Sequence, residues 1–148
     1  MQLNQPYTYV SAGELFGLTL NWALAHIEGK AEFGIKSVAG GVLVLWGDAE
    51  HLSEITVAYD TWAGGGSLYE RLLTKGLLLQ AVDEQYRERM PLFRASLTNW
   101  ETVYRGGHPL VAAFRAYVAH IYAARQTGDL VAVPSELVAL GNGDKEPL

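Results

Sequence analysis

Apolar residues recur with helical spacing at two places in the chain, one near each end. The first follows Ser11 and Glu14, an S-x-x-E capping box in which each side chain satisfies an orphan amide at a helix start. Phe16, Leu20, Ala23, Leu24 and Ile27 then form one stripe, ended by Gly29 in the usual C′ position. Leu15, Leu18 and Trp22 widen the stripe, so this helix is expected to be buried on more than one side. The second begins after Gly106 and Gly107, with Pro109 suited to a first helical turn. Leu110, Phe114, Tyr117, Val118 and Ile121 carry its stripe to about Arg125, and Gly128 closes the region.

Between these helices the pattern shifts toward strands. "EFGIK" (32–36) and "GVLVLW" (41–46) flank a hairpin-like break at Gly40-Gly41. "EITVAY" (54–59) alternates, with Ile55, Val57 and Tyr59 on one face. It leads into "YDTWAGGGSLYER" (59–71), which reads as a strand-to-turn junction with Trp62 beside three glycines. Residues 67–82 fit either a helix from Ser67 followed by a strand or a hairpin around Thr74-Lys75-Gly76; the hairpin is the preferred reading. Residues 83–90 are polar, a loop or helical turn, and "LFRASLT" (92–98) alternates as a strand. "LVAVP" (130–134) reads as a short strand and "SELVAL" (135–140) as a final helical turn. The expectation is one α+β domain over residues 1–140, mainly antiparallel sheet with a helix near each end, and a frayed tail at 141–148.

Composition narrows the function classes. The chain has 148 residues, 49% hydrophobic and 18% charged, the profile of a globular domain with a real core. It has no cysteine, which removes disulfides, thiol nucleophiles and zinc-thiolate sites. The start "MQLNQPYTYV" lacks the basic and apolar blocks of a signal peptide, and no apolar run approaches a membrane span. A cytosolic protein without membrane association is the plain reading.

A net charge of −5 argues against generic DNA or RNA binding, which needs a basic face to release counterions. That charge is uneven. Residues 1–70 carry eight acids and two lysines, whereas 83–125 carry Arg87, Arg89, Arg94, Arg105, Arg115 and Arg125 against four acids. Arginine suits planar, bidentate contact to phosphate or carboxylate, so this segment is either a solvated surface with internal ion pairs or a local anion site.

Catalytic signatures are lacking. His26, His51, His108 and His120 fit no metal spacing, and no cofactor is implied. The serines lack a G-x-S-x-G elbow, Ser67 behind the glycines included. The triple glycine could cradle a phosphate through backbone amides or could simply be a turn. Trp62 is a core anchor or a stacking platform for a flat ring. Arg115 interrupts the apolar run "LVAAFRAYVAHIY" and is therefore expected to be partly enclosed with an anionic partner, either an internal carboxylate or a ligand phosphate.

Four blocks in order, "LNWALAHIEGK" (20–30), "YDTWAGGGSLYER" (59–71), "GGHPLVAAFRAYV" (106–118) and "GDLVAVPSEL" (128–137), resemble the NinX-like family of phage proteins. Its pattern is an L-x-W-A-x-A helix ending in E-G, then S-T-D-W-x-x-G-G-P, then G-x-T-P-L-x-A-A-M-R, closing on V-x-V-P-x-x-L. The sequence departs from it at His108 for Thr, Phe114 for Met and Ser67 for Pro, and is longer at 39–55 and around "IYAARQT". The resemblance implies a phage or prophage accessory protein of the bacterial cytosol, with Trp62, Gly64, Gly65 and Arg115 as shared features. It carries no settled activity.

Three functions compete. The preferred one is a non-enzymatic binder of a small anionic, nucleotide-like ligand, by analogy with phage proteins that sequester host immune signals, commonly as homo-oligomers. Its expected site is Tyr59 and Trp62 for stacking, Arg94 and Arg115 for phosphate, a Gly65 amide, and His108 at a helix start where anions are favoured. The alternatives are a protein-interaction module that inhibits or redirects a host protein, and a small hydrolase of a nucleotide signal.

Overall fold

The architecture is built around one long, alanine-rich helix. A computed structural model describes residues 6–28, 32–38, 41–47, 59, 61–82, 92–124 and 130–141. In chain order these form β1 (Tyr7–Ser11), a 3-10 turn (Ala12–Glu14), α1 (Gly17–Ile27), β2 (Glu32–Val38), β3 (Gly41–Gly47) and α2 (Trp62–Thr74). Then come β4 (Leu78–Ala81), β5 (Phe93–Ser96), β6 (Tyr104–Gly106), α3 (Pro109–Ala124), β7 (Leu130–Pro134) and α4 (Ser135–Gly141). The chain is α+β, with a helix near each end. Its described strands are all antiparallel but lie in three small units: β1–β7, β2–β3 and β4–β5–β6.

Helix α3 starts at Pro109 as the sequence implies, and its run from Ala112 to Ala119 is buried without a break. Leu110, Phe114 and Val118 are fully enclosed, each contributing about 1.5–3 kcal/mol by burial. The alanines between them let other elements approach on several sides, so α3 contacts α1, α2, the 3-10 turn, and the sheet β4–β5–β6. Helix α1 is buried along Leu20–Ala25, the multi-sided burial its widened stripe predicts. Strand β1 pairs with β7 from Tyr7↔Pro134 to Ser11↔Leu130, which ties the two ends of the described chain together.

Two local expectations are corrected. Ser11 and Glu14 do not open α1: Ser11 precedes the 3-10 turn with no side-chain cap bond, and α1 begins at Gly17. The Thr19 hydroxyl takes over there, accepting the Phe16 N–H at 3.3 Å and donating to the Phe16 carbonyl at 3.0 Å.

The second correction is larger. The glycines are not a turn and 67–82 is not a hairpin, because α2 runs from Trp62 through all three glycines to Thr74. Thr61 caps it, its hydroxyl accepting the Gly64 N–H at 3.2 Å. Gly65, Leu68 and Leu72 form the buried stripe. Gly76, at φ 95°, ends the helix in a left-handed conformation that lets the Leu77 N–H reach the Leu72 carbonyl at 3.0 Å. The expected strand at 54–59, apart from Tyr59 itself, lies outside the described residues, as do Gly29, Gly128, 83–90 and the tail beyond Gly141.

Candidate functional site

Helices α2 and α3 begin beside one another, and their first turns carry an aromatic cluster. Trp62, the first residue of α2, is 53% exposed. Tyr69, two helical turns on, meets its ring edge-on with centroids 5.4 Å apart. His108 lies 5.7 Å away across the gap between the helices, its ring tilted by 48°. His108 is also the cap of α3: its Nδ1 accepts the Leu110 N–H at 3.1 Å and its carbonyl accepts the Ala112 N–H at 3.1 Å. An accepting Nδ1 is unprotonated, so the neutral ring carries its proton on Nε2.

Gly65 explains why this helix start tolerates glycine. A Cβ there would stand 1.9 Å from the Tyr59 carbonyl oxygen and 2.8 Å from the Phe114 ring. The first turns of α2 therefore rest directly on the Tyr59 backbone and on α3. At Gly66 a Cβ would meet nothing within 4 Å. Of the expected site residues, then, Trp62 and His108 meet ring to ring, and Tyr59 reaches the α2 start through its backbone carbonyl. The expected Gly65 amide is corrected: Gly65 is buried and its N–H donates to the Thr61 carbonyl at 2.7 Å within the helix.

Tyr59 is half-buried, and its N–H donates to the side-chain oxygen of buried Asn21 on α1. Burial raises its hydroxyl pKa above the usual tyrosine value; Glu28 adds to the rise and Arg71 opposes it. Burial and then Glu28 raise Tyr117 as well, again opposed by Arg71. Glu28 and Arg71 pair with each other, joining the end of α1 to α2.

The two arginines of the expected site lie elsewhere. Arg115 is only 3% exposed. Its Nε donates to the Leu15 carbonyl at 2.7 Å and a terminal nitrogen to the Arg105 carbonyl at 2.6 Å. It clamps α3 to the 3-10 turn on one side and to β6 on the other. The enclosure expected from the sequence is present, and these two acceptors are backbone carbonyls.

Arg94 stands in the middle strand of the three-stranded sheet. Buried Ala95 marks the face covered by α3, so Arg94 projects from the opposite face. Its Nε donates to the Gln80 side chain at 2.6 Å, and its guanidinium lies 4.9 Å from the Trp100 ring. Trp100 and Asn99 both adopt positive φ, 71° and 54°, which costs on the order of 1–3 kcal/mol at a non-glycine residue. The fully buried Ser96 hydroxyl holds that loop by accepting the Thr98 and Trp100 N–H groups, each at 3.0 Å. On the α3 side of the same loop is a pocket of about 200 Å³, set against Ala116, Ala119, His120 and Ala123. None of the expected site residues lines it.

Tyr69, Trp100 and Arg105 stand beside expected site residues in places that the sequence pattern did not assign. Tyr69 becomes visible only once Trp62 is helical, seven residues and two turns before it. Among the described residues no group of three metal-ligating side chains could hold an ion, and no helix is long and apolar enough to cross a membrane. No protein-family model matches this chain, and neither does any curated protein.

Proposed function

We propose that this chain is a phage accessory protein that binds a small anionic, nucleotide-like ligand at the paired starts of α2 and α3, without turning it over. The observation that carries this reading is the exposed indole of Trp62, braced by Tyr69 and facing His108 where two helix N-termini meet. The indole is a stacking surface for a flat ring. Both helix starts favour negative charge, and the Nε2–H of His108 is a donor to an anionic oxygen. The resemblance to NinX-like proteins supports a role in the bacterial cytosol, and by the same analogy the ligand is a host signal held by a homo-oligomer. Arg115 is assigned to the fold rather than to the ligand.

Calorimetric titration with cyclic dinucleotides and ADP-ribose-derived signals tests this. Trp62→Ala should weaken the binding seen with the wild type by about fivefold or more, since stacking one base contributes about 1–3 kcal/mol. A panel without any binding overturns the reading.

One observation favours protein interaction instead. The outer face of the β1–β7 ribbon exposes Tyr7 (49%), Tyr9 (70%) and Leu130 (47%). Recovery of a stoichiometric host partner that is lost on Tyr9→Ser would favour that second reading.

A further inference from the structure

A second cluster stands on the opposite side of the sheet from α3. Arg94 and Arg105 are direct cross-strand partners in β5 and β6, so their side chains leave the same face next to one another. Gln80 is the partner of Arg94 on the other flank. Like charges facing each other across a ladder oppose folding, and an acidic chain has carboxylates enough to neutralise them. Among the described residues, however, neither arginine has an ion-pair partner. Glu101, the one acid in the described stretch 92–106, pairs with neither.

The surroundings hold the pair in place rather than neutralise it. Gln80 engages Nε of Arg94, and Trp100 lies against its guanidinium, which leaves the terminal N–H groups of Arg94 for another acceptor. Arg105 is exposed, and the side chain has no hydrogen-bond partner among the described residues. Its backbone carbonyl, by contrast, is fixed from below by buried Arg115. Trp100 remains 36% exposed although its backbone is held at positive φ. The sheet thus presents two guanidinium groups and an indole on one surface, with a buried arginine and a buried serine hydroxyl fixing the backbone that carries them.

We propose that Arg94, Arg105 and Trp100 form a second binding site, for a phosphate group that carries an aromatic base. The paired guanidiniums take the phosphate oxygens, since the guanidinium fork matches phosphate geometry. The exposed part of the Trp100 ring takes the base. Arg115 is a positioning residue that acts through the Arg105 backbone. This site is independent of the Trp62 reading, being built on different elements. The phosphorylated base could come as a free nucleotide or as one unit of a single strand.

The test is an NMR titration of the full chain with adenosine 5′-monophosphate, with adenosine, and with a short single-stranded oligodeoxyadenylate. The Trp100 indole N–H and the Arg94 and Arg105 Nε–H resonances should move with the monophosphate and stay still with adenosine. Tighter binding of the oligomer would assign the ligand to a strand, and equal or tighter binding of the monophosphate to a free nucleotide; either result supports the shared chemistry. Arg105→Ala should weaken binding roughly tenfold, equivalent to about 1.4 kcal/mol. Arg105→Glu separates function from fold: it should abolish binding while raising the melting temperature, because the introduced carboxylate would pair with Arg94 across the strands. Three results would each overturn the proposal: no movement of these resonances, equal movement with adenosine, or unchanged binding in Arg105→Glu.

Discussion

The starts of α2 and α3 meet at Trp62 and His108, whose ring centroids are 5.7 Å apart, yet they are encoded in opposite ways. Helix α3 opens on a proline and a solid apolar stripe, with His108 as its cap. Directly after Trp62 and Ala63, helix α2 carries three glycines, residues that disfavour helix interiors by about 0.8–1.0 kcal/mol each relative to alanine. The contrast teaches that α2 is placed by contact rather than by propensity. Gly65 has no side chain because the Tyr59 carbonyl and the Phe114 ring occupy the space one would need. What the close approach achieves is position: it sets Trp62 beside His108.

The largest expected effect breaks that contact. Gly65→Ala would drive a methyl group into backbone at 1.9 Å, so denaturant unfolding should show a loss of about 3 kcal/mol or more. On the α3 side, Arg115→Met keeps the bulk but leaves the buried Leu15 carbonyl and the part-buried Arg105 carbonyl without that donor. The expected loss is about 2–4 kcal/mol, read from the same midpoint shift. A variant of unchanged stability would return Arg115 to the ligand. The adjacent glycine should behave with the opposite sign to Gly65. Gly66→Ala meets open space within a helix and should gain about 0.5–1 kcal/mol.

The smallest effect is one of pH. Tyr59 and Tyr117 have hydroxyls whose pKa is raised in the fold, first by burial and then by Glu28. Below the ordinary tyrosine pKa of about 10 their contribution is fully present. Above it the unfolded chain loses these protons first, so stability falls as pH rises through the folded values. Tyr117→Phe should flatten that alkaline fall, as measured by thermal melting between neutral and strongly alkaline pH.

The same contrast explains what the sequence could and could not reveal. Helix α3, β7 and the β2–β3 pair were legible because period and punctuation agree there: Pro109, the Leu110–Ile121 stripe, and the break before Gly41. Helix α2 was not, because its packing glycine mimics a turn and Thr61 is an unremarkable residue until its hydroxyl is seen on Gly64. The capping box at Ser11 was a false signal, since a 3-10 turn intervenes before α1.

The candidate site divides in the same way. Trp62 and His108 converge because one opens α2 and the other caps α3, whereas Gly65 and the Tyr59 backbone form the packing beneath them. The enclosure of Arg115 was legible in its apolar helix. Nothing in a linear sequence, however, shows that its acceptors are the carbonyls of Leu15, far back in the chain, and of Arg105 on β6. Arg94 and Arg105 are likewise separated in sequence, and only the β5–β6 register makes them neighbours.

Binding of a small anionic ligand at the α2–α3 junction, without turnover, is tested most directly by following the Trp62 indole N–H and the His108 ring resonances. The titrant is a cyclic dinucleotide or an ADP-ribose-derived signal. The mixture is then heated to denature the protein, and the released ligand is identified by chromatography. Saturable movement of both residues and recovery of unaltered ligand is the predicted result. Resonances that stay in place across the panel, or a ligand recovered as hydrolysis products, would contradict it.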